Sequence, residues 1–220
     1  MQSIRPIIES WKAGHISKTE DTDLCSVYKK HGSDKKSDGG SRHNYTNLYY
    51  PLFQLLRNQA FNFFELGLGT HDATIAWHMG PEWKVGASMY AAEEFFPNAN
   101  IYGADIDSAI LFNERRIKTF YCNSKDATAI TTMWNDPELK DKKFEIILDD
   151  ACHEFDANFC FAVNSIPKLA PQGMFIIEDL LDTRLAKFAE TLPFLIEKFN
   201  LDVCELITMR GATALIMQVK

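Results

Sequence analysis

Residues 200–219 read NLDVCELITMRGATALIMQV, and their hydrophobic pattern is the most informative about the fold. Two apolar runs, 200–207 and 212–219, are joined by a short Thr-Met-Arg-Gly turn. Two such runs around a short turn that contains glycine predict an antiparallel hairpin. A hairpin that follows a series of strand–helix units is a specific topology, so it narrows the choice among α/β folds.

Upstream of the hairpin, short apolar runs alternate with segments of helical spacing. Continuous apolar runs are typical of parallel strands buried on both faces, and the alternation predicts right-handed β–α–β units. We therefore predict a doubly wound, Rossmann-like α/β fold with a mostly parallel seven-stranded sheet and a terminal antiparallel hairpin. The five upstream strands are expected at 61–66, 100–105, 117–121, 144–149 and 173–178, and helices at 47–58, 87–96, 108–115, 126–135, 155–169 and 182–199. Residues 1–46 are expected to form an N-terminal helical or lid segment, and 47–220 the main domain.

Composition excludes several classes of protein. The 220 residues carry a net charge of −7, and the five cysteines are odd in number and form no CxxC pair. Such cysteine usage favours a reduced, cytoplasmic setting over a disulfide framework. The negative net charge makes nucleic acid a poor partner. No apolar run approaches the roughly 18 residues of a membrane helix. No signal-peptide core is expected in the N-terminal residues.

The first strand ends in Glu65-Leu66-Gly67-Leu68-Gly69. Ligands of open α/β sheets bind beyond the carboxyl ends of the strands, and two glycines let the backbone pass close to a ligand. Glu65 lies where it can meet a positive or hydroxylated group. A dinucleotide fingerprint needs a third glycine at position 72, where this chain has Asp72, which argues against NAD. A plain strand-to-helix turn is the alternative interpretation.

Acidic and amide side chains follow the next two strands. Asp105 or Asp107 is placed to accept hydrogen bonds from both hydroxyls of a ribose, although either could cap the next helix. Asn123 or Asp126, after the third strand, could meet an adenine amino group, and Asp126 could equally cap its helix. These residues are therefore candidates for contacting a nucleoside.

The fourth predicted strand ends at Asp149-Asp150, and the fifth at Glu178-Asp179. Adjacent strands are about 4.8 Å apart, so four carboxylates are expected close together. Such crowding is costly unless a cation offsets it, and all-oxygen ligands favour Mg²⁺, with Ca²⁺ or Mn²⁺ as alternatives. A set of helix caps and solvated loop ends is the other interpretation. His153 follows Asp150 by three residues, and histidine suits general-base work near neutral pH, although most histidines are structural or lie on the surface.

Taken together, these residues resemble the class I S-adenosylmethionine-dependent methyltransferases. The closer resemblance is to the metal-dependent sugar O-methyltransferases of macrolide and aminocoumarin antibiotic biosynthesis and of polysaccharide gene clusters. It runs from about residue 28 to 180, and DDACH with IIEDL is its most specific part. The motifs in chain order are HGSDK (31–35), HNYTNLYYPLF (43–53), FELGLG (64–69), FPNANIYGADID (96–107), IILDDACHEF (146–155) and GMFIIEDL (173–180).

The resemblance implies a role for each matching residue. It implies metal binding by Asp150, Glu178 and Asp179, and a general base at His153, with Asp150 also catalytic. Cofactor contacts are implied for Glu65, Gly67, Gly69 and Asp105, with Asp149 facing the methionine portion or the water shell of the metal. Asn123 is a candidate for the adenine contact from its position after the third strand. Two departures are Ala151, where the family often has glycine, and Cys122-Asn123, where it often has Gly-Asp.

The implied activity is methyl transfer from S-adenosylmethionine to a hydroxyl of a sugar or a glycosylated small molecule, aided by Mg²⁺ or another hard divalent cation. A non-catalytic S-adenosylmethionine-binding module, and an oxidoreductase or hydroxylase on the same scaffold, are the alternatives. Assembly into a homo-oligomer is left open. The basic stretch 29–42 could clamp a phosphate or be a solvated loop, and the loop 71–86 could cover the cofactor, shape the acceptor pocket or be a surface elaboration.

Overall fold

The computed structural model describes residues 2–16, 21–37 and 43–220. Its strands, within those residues, are β1 (Asn62–Leu66), β2 (Asn100–Asp105), β3 (Asn113–Glu114), β4 (Ile117–Tyr121), β5 (Phe144–Asp149), β6 (Leu169–Ile177), β7 (Leu201–Met209) and β8 (Ala212–Val219). They form one sheet in the order β3-β4-β2-β1-β5-β6-β8-β7. The five neighbours from β4 to β6 are parallel, which confirms a mostly parallel α/β sheet.

Helices cover both faces of this sheet. Neighbouring residues of a strand point to opposite faces, and Phe63 and Phe64 accordingly belong to two different hydrophobic clusters. No helix in the described ranges combines the length and the apolar character needed to cross a membrane. The helices are α1 (Arg5–Lys12), α2 (Asp23–His31), α3 (Tyr45–Phe53), α4 (Ala87–Phe95), α5 (Ala127–Trp134), α6 (Phe155–Ser165) and α7 (Asp182–Phe199).

The terminal hairpin is present as predicted. β8 pairs antiparallel with both β6 and β7, which leaves β7 at the edge of the sheet. The turn passes through Gly211, whose φ of +74° is the left-handed conformation that glycine adopts without strain. The hairpin therefore closes the parallel sheet on the side of β6.

The helix predicted at 108–115 is wrong. One short 3₁₀ turn, Ser108–Ile110, is followed by β3, which pairs antiparallel with β4. The Thr119 hydroxyl bonds both the N–H and the C=O of Phe112 at 2.6 Å, and Arg115 takes a left-handed φ of +54°. These contacts turn the chain back on itself, so the described sheet has eight strands rather than seven.

The N-terminal helices pack into the same core as the sheet. Ile8, Trp11 and Tyr28 are buried in the cluster that contains Phe63. The boundary expected between residues 46 and 47 falls inside α3, which begins at Tyr45 rather than at 47, and the division into two parts stays a prediction. The basic stretch 29–42 is not wholly a loop, because its first residues end α2, and residues 38–42 lie outside the described ranges.

The strand order places the site. In the sheet, β2 lies next to β1 on one side, and β5 followed by β6 lies on the other side. Leu66 pairs with Asp149, and Asp149 pairs with Ile177, so the three strands end level with one another. The glycine turn after β1 and the acidic residues after β5 and β6 therefore meet at one edge.

Candidate active site

The turn after β1 needs glycine at residue 67. Gly67 has a φ of +96°, and its N–H donates to the carbonyl of Ala104 at 2.8 Å. A Cβ at this position would overlap the carbonyl oxygen of Asp150. The bare backbone of Gly67 therefore lets the ends of β1 and β5 come together.

We expect Gly67→Ala to lower both stability and cofactor affinity. The substitution combines a strained φ with a backbone clash, so the free energy of unfolding should fall by about 2 kcal/mol or more. Gly14→Ala is the matched control, because Gly14 has a φ of +74° but no atom within 4 Å of the added carbon. Urea unfolding of both variants measures the difference, and equal losses would contradict the clash at Gly67.

A buried lysine lies among the acidic residues. The side chain of Lys35 is 3% exposed, and its ammonium contacts the carboxylates of Asp150 and Glu178, the latter at 2.5 Å. The Nζ atom is also 3.5 Å from Oε1 of Glu65. One ammonium therefore faces three carboxylates, two of which are almost fully buried.

The protonation of this cluster reflects its excess of negative charge. Burial lowers the pKa of the Lys35 ammonium, but the carboxylates of Asp150, Glu178 and Glu65 outweigh burial and hold that pKa well above its usual value. Burial raises the pKa of Glu178, and the charges of Asp150 and Asp179 raise it further. Burial likewise raises the pKa of Glu65 to about 7. The Lys35 ammonium therefore does not offset the effect of burial and mutual repulsion on the pKa values of Glu178 and Glu65.

Two tyrosines of α3 hold the acids after β6. The Tyr49 hydroxyl donates to Oε1 of Glu178. The Tyr45 hydroxyl donates to Oδ1 of Asp179 at 2.7 Å and accepts the N–H of Asp179 at 2.8 Å. Sequence reasoning missed Lys35, Tyr45 and Tyr49. The spacing of the tyrosines, four residues apart on one helix, was a signal that could have found them.

Asp150, His153 and Asp179 form a second group at the same edge. One ligand atom from each lies within 4.8 Å of the other two. His153 and Asp179 have φ values of +50° and +52°, which are uncommon for residues with a side chain. Such strain persists only where the surrounding structure fixes it, and it is frequent at functional sites.

The residues at this edge fit a divalent cation. The Lys35 ammonium lies between the carboxylates of Asp150 and Glu178 and places a positive charge where a metal ion would place one. Asp150 also belongs to the compact group with His153 and Asp179. The donors are mainly carboxylate oxygens, which hard ions such as Mg²⁺ prefer.

A cavity of about 210 Å³ lies at the glycine turn. Gly67, Gly69, Asp105 and Asn123 are among its lining residues, so the structure brings together four of the residues predicted to contact the cofactor. Oδ2 of Asp105 accepts the N–H of Leu68 at 2.7 Å. Each carboxylate oxygen accepts more than one hydrogen bond, so Asp105 has capacity left for a ligand.

Several residues have capping or buried roles. Asp107 caps the 3₁₀ turn after β2, and Asp126 caps α5, as the alternative interpretations expected. Oε1 of Glu65 accepts from the Ser88 hydroxyl at 2.8 Å, beneath the glycine turn. Asp149 is fully buried, and its Oδ2 accepts from the Asn158 side chain at 3.0 Å. Glu65 and Asp149 are absent from the described linings of both cavities, and their contact with a cofactor stays a prediction.

The larger cavity, of about 790 Å³, opens beside the carboxylates. It is lined by Asp150, His153, Glu178, Asp179 and Lys35, together with residues of the loop 71–86. The two cavities share Gly67, Gly69, Trp77 and Asp150. A long ligand in the smaller cavity can therefore reach the carboxylate edge of the larger one.

Comparison with known proteins agrees with this architecture. No protein-family model matches the chain. Among solved structures, the MycE methyltransferase from the mycinamycin biosynthetic pathway, in complex with Mg and SAH, has a TM-score of 0.68 at 22% identity, over 92% of this chain and 56% of that one. The chain has the methyltransferase fold. The doubly wound sheet and terminal hairpin expected from the sequence belong to this fold.

Curated proteins similar to the chain are O-methyltransferases. It is 28% identical over 160 residues to the 8-demethyl-8-alpha-L-rhamnosyl tetracenomycin-C 2'-O-methyltransferase of Streptomyces olivaceus, covering 71% of this chain and 37% of that one. It is 30% identical over 148 residues to the demethylmacrocin O-methyltransferase of Streptomyces fradiae, covering 64% and 33%. The chain spans about a third of the length of these relatives. The resemblance expected from the motifs is confirmed.

Proposed function

We propose that the chain is an S-adenosylmethionine-dependent O-methyltransferase that needs a divalent cation. The observation that carries the proposal is the carboxylate edge beside the glycine turn, where Asp150, Glu178 and Asp179 meet His153. A methyltransferase that only bound its cofactor would have no use for this crowded acidic edge. The fold and the similar O-methyltransferases support the same conclusion.

The proposed acceptor is a hydroxyl of a sugar or a glycosylated small molecule. Relatives of this chain are named for methylation of sugar hydroxyls, and MycE was solved together with mycinamycin VI. The larger cavity is wide enough for a sugar, and it contains two tryptophans, Trp77 and Trp83, of the kind that pack against apolar sugar faces. These features favour a glycoside over a nucleic acid.

In this proposal the smaller cavity holds the nucleoside of the cofactor. Asp105, which lines this cavity, would accept hydrogen bonds from the ribose hydroxyls, and Asn123 would contact the adenine. The glycine turn admits the rest of the cofactor toward the larger cavity. S-adenosylmethionine supplies the methyl group on a sulfonium, which is already a good leaving group.

The harder task is to make a hydroxyl nucleophilic, and the carboxylate edge is suited to it. Asp150, Glu178 and Asp179 would hold a divalent cation, which lowers the pKa of a neighbouring hydroxyl. His153 would accept the proton of that hydroxyl on a ring nitrogen as the new carbon–oxygen bond forms and the methyl carbon–sulfur bond breaks, which leaves S-adenosylhomocysteine. Alignment of the hydroxyl, methyl group and sulfur by the two cavities lowers the entropic barrier.

His153→Ala tests the role of the base. We expect transfer of labelled methyl from S-adenosylmethionine to a panel of simple deoxysugar glycosides to fall by about 10²-fold or more. Affinity for S-adenosylhomocysteine, measured by calorimetry, should change less than about threefold, because His153 lines only the larger cavity. His15→Ala, at an exposed histidine after α1, is the control. Loss of S-adenosylhomocysteine binding in His153→Ala would contradict its assignment as base.

A failure of the whole proposal has a distinct signature. If the wild-type chain binds no S-adenosylhomocysteine, with or without Mg²⁺, the methyltransferase assignment is wrong. If it binds S-adenosylhomocysteine but Mg²⁺ alters neither binding nor transfer, the methyltransferase stands and the role of the metal falls. Calorimetric titration of the metal-stripped protein separates these outcomes before any acceptor is known.

A further inference from the structure

Trp77 borders both cavities of the candidate site. It belongs to the loop 71–86, and its side chain packs edge-to-face on His153 with ring centroids 5.4 Å apart and an angle of 79°. The guanidinium of Arg184 lies over the Trp77 ring at 5.7 Å. The indole is thus in contact with the candidate base at the junction of the two cavities.

The loop places this indole by backbone contacts. The N–H of Met79 donates to the carbonyl of Thr70 at 2.7 Å, and the N–H of Gly86 donates to the carbonyl of Leu68 at 2.8 Å. Both contacts tie the loop to the glycine turn. Trp77 itself has a φ of +65°, a conformation that costs free energy in a residue with a side chain. The loop is therefore folded against the site in a conformation that places one side of the Trp77 ring on His153, while the side chain stays 47% exposed.

One ring nitrogen of His153 is not fixed by a hydrogen bond in the described parts of the chain. A catalytic or metal-binding histidine normally has one ring nitrogen held by a carboxylate or a carbonyl, which sets its orientation. Nδ1 of His153 is buried and has no hydrogen-bond partner in the described parts of the chain. Packing therefore contributes to the orientation of the ring, and Trp77 supplies an aromatic contact for it.

We infer that Trp77 is a positioning residue that holds the imidazole of His153 at the junction of the cofactor and acceptor cavities. This inference rests on the proposed function, in which His153 accepts the proton of the acceptor hydroxyl. It gives the loop 71–86 a task in the reaction. An aromatic ring at residue 77 is required for that task, whereas Trp83 on the same loop makes no ring contact with His153 in the described structure.

The test follows the imidazole directly by NMR. Protein labelled with ¹³C at Cε1 of histidine has six ring signals, one for each imidazole, and His153→Gln assigns the one that belongs to His153. In Trp77→Ala we expect this signal to move toward the position of free histidine and to broaden. It should stay near its wild-type position in Trp77→Phe, which keeps an aromatic edge, and in the matched control Trp83→Ala. An unmoved signal in Trp77→Ala, or an equal shift in Trp83→Ala, overturns the inference.

Turnover supplies the second measurement. With a glycoside that the wild-type protein methylates, Trp77→Ala should lower kcat by about tenfold to 100-fold, a larger factor than the change in KM for S-adenosylmethionine, because misplaced catalytic groups cost rate. Trp77→Phe should recover most of that rate. If the wild-type protein methylates no glycoside while Trp77→Ala still releases the His153 signal, the proposed function fails and the positioning role stands.

Discussion

Asp150→Asn is expected to abolish Mg²⁺ binding while leaving cofactor binding in place. Asp150 is the residue common to both groups at the carboxylate edge, since it contacts Lys35 and lies within reach of His153 and Asp179. An amide oxygen is uncharged and binds a hard cation less strongly than a carboxylate does. Replacing a residue that only contacts a metal ligand already lowers metal affinity by up to about 100-fold. We therefore expect the loss of a ligand to lower Mg²⁺ affinity by at least about 100-fold, and methyl transfer to fall with it.

Calorimetry measures both halves of this prediction. The heat of Mg²⁺ binding should vanish in Asp150→Asn, whereas S-adenosylhomocysteine should bind within a few-fold of its wild-type affinity. Asp156→Asn is the matched control, because Asp156 is exposed in the first turn of α6. Undiminished Mg²⁺ binding in Asp150→Asn would show that the cation, if one binds, is held elsewhere.

Lys35→Met should destabilise the metal-free protein strongly. Removal of one partner from a buried ion pair leaves uncompensated charge, here on Glu178 and Glu65, and typically costs about 3 kcal/mol or more. Methionine keeps most of the volume of lysine, so packing changes little. The loss should be largest in the absence of divalent cations, because an added cation would take over the neutralising charge.

Thermal unfolding with and without Mg²⁺ tests this expectation. Mg²⁺ should raise the melting temperature of Lys35→Met more than that of the wild type. The matched control is Lys29→Met, at an exposed lysine of α2, which should change stability by less than about 0.5 kcal/mol. If Lys35→Met instead keeps its stability and binds Mg²⁺ more weakly, the lysine helps to hold the cation and does not replace it.

The sequence was informative wherever hydrophobic pattern and strand ends decide structure. The terminal hairpin could be predicted because its two apolar runs are separated by only four residues, and parallel strands must end at one edge. Because parallel strands end at one edge of the sheet, the sequence also predicted that Asp150 would lie near Glu178 and Asp179. The short β3 could not be predicted, because it depends on Thr119 bonding to Phe112 and on an arginine at positive φ.

The contacts around the acids were harder to predict for a different reason. A lysine in a glycine-rich basic stretch is usually solvated, and only the fold shows that Lys35 reaches the ends of β5 and β6. The same holds for Trp77, whose loop has no apolar period and is placed by backbone hydrogen bonds to the glycine turn. Tertiary contacts across the chain, rather than local propensity, position both residues.

The segment that carries Lys35 and Tyr45 joins residues far along the chain, 115 positions to Asp150 and 134 to Asp179. Contacts of such high sequence separation require closure of a long loop, which slows folding, and we expect these contacts to form late in the pathway. Interactions that form after the folding barrier act mainly on the unfolding rate. A ligand bound at this edge is therefore expected to slow unfolding more than it accelerates folding.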